Sequence, residues 1–174
     1  MTGPTPASGR VLLFTGAGKG KTTAALGLAF RALGHGLRTC VVQFIKARDD
    51  IGEVRASREL GPAVEIIPCG TGFVHEPAEP DREAARDALD LARRKADECD
   101  LLVLDEVNTA VQLGLLPVED VLRLIAARPS SLHVVLTGRG APCELIDAAD
   151  TATEMTDLKH AYDAGRHADR GVEL

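Results

Sequence analysis

The chain has 174 residues, of which 45% are hydrophobic and 26% are charged, proportions typical of a globular protein with a single core. Its formal net charge is −6 and only 3% of its residues are aromatic, so it offers neither a cationic surface nor stacking platforms for nucleic acid. No apolar run approaches the roughly 18 residues of a membrane span, and residues 1–10 lack the apolar stretch of a secretory signal. We therefore expect a cytoplasmic protein without nucleic-acid or membrane partners, with residues 1–9 as a disordered lead-in to one domain at residues 10–174.

Predicted strands and helices alternate along the chain. Short apolar runs that end at turn residues predict strands at residues 10–15, 38–45, 64–68, 101–105, 132–137 and 151–155. Apolar residues at helical spacing predict helices at residues 20–33, 50–60, 80–98, 117–127 and 143–149. A loop rich in Gly and Pro occupies residues 69–80, and the tail at 156–174 is polar. This order predicts a three-layer α/β domain with a mostly parallel sheet of about six strands.

The segment at residues 15–23, TGAGKGKTT, lies between the first strand and the first helix, where a P-loop belongs. Glycines let successive backbone N–H groups curve around phosphate oxygens, and the helix N-terminus adds positive potential. Lys21 is expected to place a charge on the triphosphate of ATP, and the Thr22 hydroxyl to reach Mg2+. Thr15 replaces the first Gly of the usual pattern, so the loop is a variant. The predicted ATP-binding residues are Gly16, Ala17, Gly18, Lys19, Gly20, Lys21, Thr22 and Thr23.

A second part of a nucleotide site follows the fourth predicted strand. The apolar run at residues 101–104 ends in two carboxylates, Asp105 and Glu106, which is the pattern of a Walker B element. Either carboxylate could act on Mg2+, and both are predicted metal-site residues together with Thr22. Asn108 comes just after them and is expected to line the site, because ligands of parallel sheets bind beyond the carboxyl ends of the strands.

The segment at residues 14–46 resembles the P-loop corrinoid adenosyltransferases, the ATP:cob(I)alamin or cob(I)yrinic acid a,c-diamide adenosyltransferases. The similarity runs in the family's order from about Val11 to the C-terminus. The further matching segments are Thr71-Gly72-Phe73, Asp105-Glu106, Gly114-Leu115-Leu116, Arg128-Pro129, Thr137-Gly138-Arg139, Glu154-Met155 and Lys159-His160.

The resemblance implies a RecA-like fold and an enzyme that transfers the 5′-deoxyadenosyl group of ATP to the cobalt of a reduced corrinoid. Tripolyphosphate leaves, and ATP lies in the cradle in an orientation reversed from that in kinases. Because Co(I) is the nucleophile, the protein needs none, and its tasks are positioning and electrostatic stabilisation. Lys21 and Arg139 are the expected stabilisers, although Arg139 could equally be a solvated loop residue. The resemblance also implies a homodimer and a reduced flavodoxin-like electron donor.

Two departures from the family pattern concern the ligands. Ala17 stands where many members have Asn or Asp near the phosphates. Phe73-Val74-His75 stands where members often have Phe-x-Trp, aromatics thought to cover the lower axial face of cobalt. Phe73, His75 and Asn108 are accordingly the predicted corrinoid residues. His75 could ligate cobalt or face solvent.

Two rival functions remain open at the level of the sequence. A P-loop ATPase or kinase could use the same carboxylates for phosphoryl chemistry, and a nucleotide- or corrinoid-binding protein without turnover would fit the two departures. Product analysis separates adenosyl transfer from the first rival, because transfer yields tripolyphosphate and an adenosylated corrinoid whereas hydrolysis yields ADP and phosphate.

Overall fold

The computed structural model describes residues 8–74, 76–161 and 165–172. Its centre is a six-stranded sheet in which every pair of neighbours is parallel, with the strand order β3-β2-β4-β5-β1-β6. The strands are β1 Val11–Thr15, β2 Thr39–Gln43, β3 Val64–Pro68, β4 Leu101–Asp105, β5 His133–Thr137 and β6 Thr151–Glu154. The central strand β4 is buried along its whole length, as its unbroken apolar run predicts.

Helices cover both faces of the sheet. They are α1 Lys21–Leu33, α2 Gly52–Leu60, α3 Glu79–Lys95, α4 Val107–Gln112, α5 Val118–Ala127 and α6 Cys143–Ala148, with a 3-10 turn at Gly61–Ala63. Buried side chains of α1 and α2 pack on one face, and those of α3 to α6 pack on the other. No helix within the described part of the chain is long and apolar enough to cross a membrane.

Alternation along the strands assigns each core residue to one face. Leu102 and Leu104 of β4 point to the face that carries α3, whereas Leu101 and Val103 point to the face that carries α1. The α3 helix offers small residues to this core, because Ala85 is fully buried and its neighbours on the same stripe pack against the sheet. Because all six strands are parallel, their carboxyl ends lie at one edge of the sheet, together with the P-loop.

The structure confirms the predicted α/β architecture, with the sheet wholly rather than mostly parallel. The helix α4 was not predicted, since its six residues are too few for helical periodicity. The residue before it is Glu106, the one described non-glycine residue with a left-handed backbone, at φ 63°. The third helix runs over residues 79–95 rather than 80–98, and Asp81 caps its start by accepting a 2.9 Å hydrogen bond from the Ala78 N–H.

Candidate nucleotide-binding site

The P-loop connects β1 to α1 and packs against the segment that follows β6. Gly16 has φ 96°, and a Cβ atom there would lie 2.3 Å from the main-chain oxygen of Met155. The same oxygen accepts a 2.7 Å hydrogen bond from the N–H of Gly18, and the Met155 N–H donates to the Thr15 oxygen at 2.8 Å. Glycine at position 16 is therefore required by the segment that follows β6 as well as by the turn itself.

Lys21 folds back over the loop that precedes it. Its ammonium group donates hydrogen bonds of 2.8 Å and 2.7 Å to the main-chain oxygens of Gly16 and Gly18. Burial lowers the pKa of Lys21 and the Arg139 guanidinium lowers it further, whereas the nearby Glu106 carboxylate raises it. Lys21 therefore feels nearby charges of both signs, from Glu106 and from Arg139.

Asp105 is fully buried and receives donors on both of its carboxylate oxygens. Its Oδ1 atom accepts hydrogen bonds from the Thr22 hydroxyl at 2.7 Å and the Thr137 hydroxyl at 2.8 Å. Its Oδ2 atom accepts from Gln43 Nε2 at 3.3 Å and lies 3.5 Å from Lys46 Nζ. The structure thus joins the P-loop threonine to the carboxylate that ends β4.

The Lys46 ammonium group is shared between two carboxylates. It contacts Glu53 Oε1 at 2.8 Å, and Gln43 Nε2 reaches the same Glu53 oxygen at 3.4 Å. These contacts hold the pKa of Glu53 below its usual range against the effect of its own burial, which acts the other way. Sequence reasoning missed all three residues of this cluster, Gln43, Lys46 and Glu53. The signal that could have revealed Gln43 is that a polar residue ends a buried strand, which in the structure pairs with β4.

Glu106 differs from its neighbour Asp105 in its surroundings. Its N–H donates a 2.9 Å hydrogen bond to the Thr137 hydroxyl, and its carboxylate accepts one from the Thr109 hydroxyl. It makes no contact with Thr22 comparable to that of Asp105 among the hydrogen bonds between described residues. The two adjacent carboxylates therefore face different partners, Asp105 the P-loop threonine and Glu106 the helix α4.

An open cleft of about 520 Å3 borders the P-loop on the side of β6. Arg139 lines it, and the Arg139 N–H is anchored to the Thr109 hydroxyl at 3.0 Å. Thr15 and Ala17 form part of the same wall. The Thr15 hydroxyl accepts a hydrogen bond from the Ala141 N–H at 3.2 Å, so the variant first position of the loop has a structural use.

The other predicted ATP-binding residues occupy the rest of the cradle. Gly20 precedes α1 with φ 118°, Ala17 and Thr23 are exposed, and the Lys19 ammonium group donates to the main-chain oxygen of Val172 at 3.1 Å. Lys19 therefore contacts the C-terminal segment, whereas Lys21 contacts the loop itself.

The predicted corrinoid residues are in three different situations. Phe73 is 96% exposed, on a segment that starts beside the carboxyl end of β2. Asn108 is fully buried, and its amide nitrogen contacts the main-chain oxygens of Phe14 and Gly138 at 3.4 Å each. Asn108 therefore exposes no surface in the structure, and its role toward a corrinoid stays a prediction. His75 lies outside the described residues.

Comparison with known proteins gives one consistent result. The family model of the ATP:corrinoid adenosyltransferases BtuR/CobO/CobP matches residues 7–174. A corrinoid adenosyltransferase of Pseudomonas aeruginosa is 44% identical over 170 residues, which cover 95% of this chain and 84% of the relative. A corrinoid adenosyltransferase of Escherichia coli strain K12 is 39% identical over 167 residues, covering 95% and 85%.

A solved structure supports the fold independently of these sequences. The flagellar accessory protein FlaH from Methanocaldococcus jannaschii superposes with a TM-score of 0.56 over 84% of this chain and 71% of its own, at 14% identity. This likeness concerns the RecA-like architecture alone. With the family match extending over nearly the whole sequence, the chain belongs to the ATP:corrinoid adenosyltransferase family of transferases.

Proposed function

We propose that the protein transfers the 5′-deoxyadenosyl group of ATP to the Co(I) centre of a reduced corrinoid, in cobalamin biosynthesis or salvage. Cobalt supplies the electron pair, a Co–C bond forms at C5′, and the C5′–O bond breaks as tripolyphosphate leaves. Family membership and the positioning of Lys21 over the P-loop support this proposal. The natural corrinoid is either cob(I)alamin or cob(I)yrinic acid a,c-diamide.

The hydrogen bond of 2.7 Å from the Thr22 hydroxyl to Asp105 is the observation that carries the nucleotide half of the proposal. A hydroxyl and a carboxylate are hard oxygen donors, and Mg2+ in nucleotide sites is held by one or two such groups together with substrate phosphates. These residues therefore fit Mg2+, with Thr22 as a direct ligand and Asp105 beside it. Bound there, Mg2+ would neutralise charge on the leaving tripolyphosphate.

Lys21 and Arg139 supply the remaining positive charge. Lys21 already binds two main-chain oxygens of the loop, and a phosphate oxygen would take their place as its acceptor. Arg139 lies close enough to influence the pKa of Lys21, so both cations can act on one triphosphate. Their role is electrostatic stabilisation of charge that grows as the C5′–O bond breaks.

The carboxylates of the site argue for transfer over ATP hydrolysis. Hydrolysis benefits from a carboxylate that can position or deprotonate water. Asp105 is buried and accepts hydrogen bonds on both carboxylate oxygens. Glu106 accepts a hydrogen bond from the Thr109 hydroxyl, and Glu53 is paired with Lys46. Each of these groups is already engaged, which disfavours the ATPase alternative.

For the corrinoid half we propose that Phe73 covers the lower face of cobalt. An apolar ring that is 96% exposed gains from burial against a macrocycle, and Thr71 next to it is hydrogen-bonded to Asp81 of α3. His75 stays a corrinoid-binding candidate. We further infer a cytoplasmic homodimer that accepts electrons from a reduced flavodoxin-like donor, as the family resemblance implies.

The test is product analysis with purified protein, ATP, Mg2+ and chemically reduced cob(I)alamin. The proposal requires an adenosylated corrinoid and tripolyphosphate in equal amounts. ADP and phosphate formed without the corrinoid product would instead establish an ATPase. Tight binding of ATP and corrinoid without either set of products would establish the binding protein.

A further inference from the structure

Three polar residues next to Asp105 form a network that the P-loop and Walker B patterns do not account for. Gln43 is fully buried and donates to Asp105 Oδ2 at 3.3 Å and to Glu53 Oε1 at 3.4 Å. Lys46 reaches the same two oxygens, Glu53 at 2.8 Å and Asp105 at 3.5 Å. Two carboxylates thus share one ammonium group and one amide.

The geometry puts Lys46 in competition with a metal ion. Thr22 contacts Asp105 on Oδ1, and Lys46 approaches the same carboxylate on Oδ2. A divalent cation held beside Thr22 would therefore lie within a few ångströms of a positive charge in a partly buried site, where repulsion is weakly screened. Unless Lys46 has another anion to hold it, this repulsion opposes metal binding.

We propose that Glu53 is a positioning residue for the metal side of the nucleotide site, because it holds the Lys46 ammonium group away from Asp105 when Mg2+ binds with ATP. The shorter contact already belongs to Glu53, at 2.8 Å against 3.5 Å for Asp105. Glu53 is only 17% exposed at its side chain, so its charge is poorly screened by water. This inference rests on the proposed Mg2+ site at Thr22 and Asp105.

The backbone of Lys46 is held in place, whereas its side chain lies between two carboxylates. The main-chain oxygen of Lys46 accepts a 3.0 Å hydrogen bond from the Gly70 N–H, so its backbone is held beside β3 while its side chain turns toward β4. Glu53 reaches it from the first turn of α2. The ammonium group can therefore shift between two carboxylates without movement of the sheet.

The experiment measures ATP binding by calorimetry across a magnesium titration, without corrinoid, in four proteins: wild type, Glu53→Gln, Lys46→Met and the double variant. In Glu53→Gln, Asp105 is the one anion among the described residues that still pairs with Lys46, so the Mg2+ concentration for half-maximal ATP binding should rise about five- to tenfold. Lys46→Met removes the competing charge and should leave that concentration equal to or below the wild-type value. The double variant should return to the value of Lys46→Met.

A matched control is Glu79→Gln, which breaks the exposed pair of Glu79 with Arg86, 2.6 Å apart on α3, and should change nothing. An unchanged magnesium response in Glu53→Gln overturns the inference while leaving the Mg2+ site intact. A defect in Lys46→Met that the double variant retains also overturns it, because Lys46 would then bind phosphate itself. ATP binding that ignores Mg2+ in the wild type overturns the proposed metal site and this inference together.

Discussion

The P-loop region and the segment that carries Phe73 differ sharply in how far the chain alone organises them. At the P-loop, Lys21, Thr22 and Asp105 are buried or partly buried, and each is tied to a partner by short hydrogen bonds. On the other segment the aromatic side chain of Phe73 is 96% exposed. The proposed ATP-binding half is thus preorganised, whereas the proposed corrinoid-binding half would gain its contacts from the ligand.

This difference matches the needs of the two proposed ligands. A triphosphate carries dense charge, and fixed dipoles and cations stabilise it best when they are in place beforehand. A corrinoid offers a broad apolar face, which an exposed ring can cover after binding. The segment that carries Phe73 is tied to the residues that follow β2, since the main-chain oxygens of Ile45 and Lys46 accept hydrogen bonds from the N–H groups of Gly72 and Gly70 at 2.9 Å and 3.0 Å.

The largest effect is expected at the preorganised region. Lys21→Ala should lower the rate of adenosyl transfer by about 100-fold or more, because it removes a fixed cation from the leaving group. Steady-state assays with chemically reduced cob(I)alamin measure it. Lys95→Ala is the matched control. Lys95 pairs with Glu65 and Glu98, at 2.9 Å each, in a part of the structure that does not include the P-loop. Full turnover and tight ATP binding in Lys21→Ala would contradict the P-loop assignment.

A smaller loss is expected at the metal side of the same region. Asp105→Asn should slow transfer by about tenfold to 100-fold and raise the magnesium requirement, because it removes the charge that faces Thr22 and Lys46. Glu106→Gln should have the weaker effect of the two, since Glu106 is bonded to Thr109 rather than to Thr22. Rates across a magnesium titration compare them. Equal, wild-type responses in both variants would sink the Walker B interpretation.

The smallest effect is expected at the exposed region, and it depends on the electron source. Phe73→Ala should slow adenosylation about tenfold when a protein donor reduces the Co(II) substrate, and much less when Co(I) is made chemically. The free energy of unfolding should stay unchanged, because the ring has little contact to lose. Equal losses with both electron sources would show that Phe73 acts in binding rather than in reduction.

A variant of His75 tests whether this residue or Phe73 determines the coordination of cobalt. Electron paramagnetic resonance of bound Co(II) with ATP present distinguishes a four-coordinate ion from one with a nitrogen ligand. A four-coordinate signal that survives in His75→Ala but is lost in Phe73→Ala would support the proposed role of the ring. Nitrogen coupling that disappears in His75→Ala would make this histidine a cobalt ligand, and the protein a specialised corrinoid binder.

The sequence predicted those parts of the fold and site that depend on local patterns. The strand boundaries agree to within about two residues, because buried parallel strands are continuous apolar runs such as residues 101–104. The contact between Thr22 and Asp105 was foreseeable as well, since both residues belong to motifs that a parallel sheet brings to the same edge. Helix α4 was missed because it starts from the left-handed backbone of Glu106, which no propensity favours.

By itself, then, the sequence determined the α/β architecture, the P-loop and the pair of carboxylates, all of which are encoded within a few consecutive residues. Only the tertiary structure decided which residues complete the site. Lys46 follows β2 and Glu53 belongs to α2, and they meet across 2.8 Å because the fold places both beside the end of β4. Asn108 follows the same strand end yet is buried, because α4 turns it under Gly138. Side-chain direction and burial depend on packing between distant segments, and a linear pattern does not contain that packing.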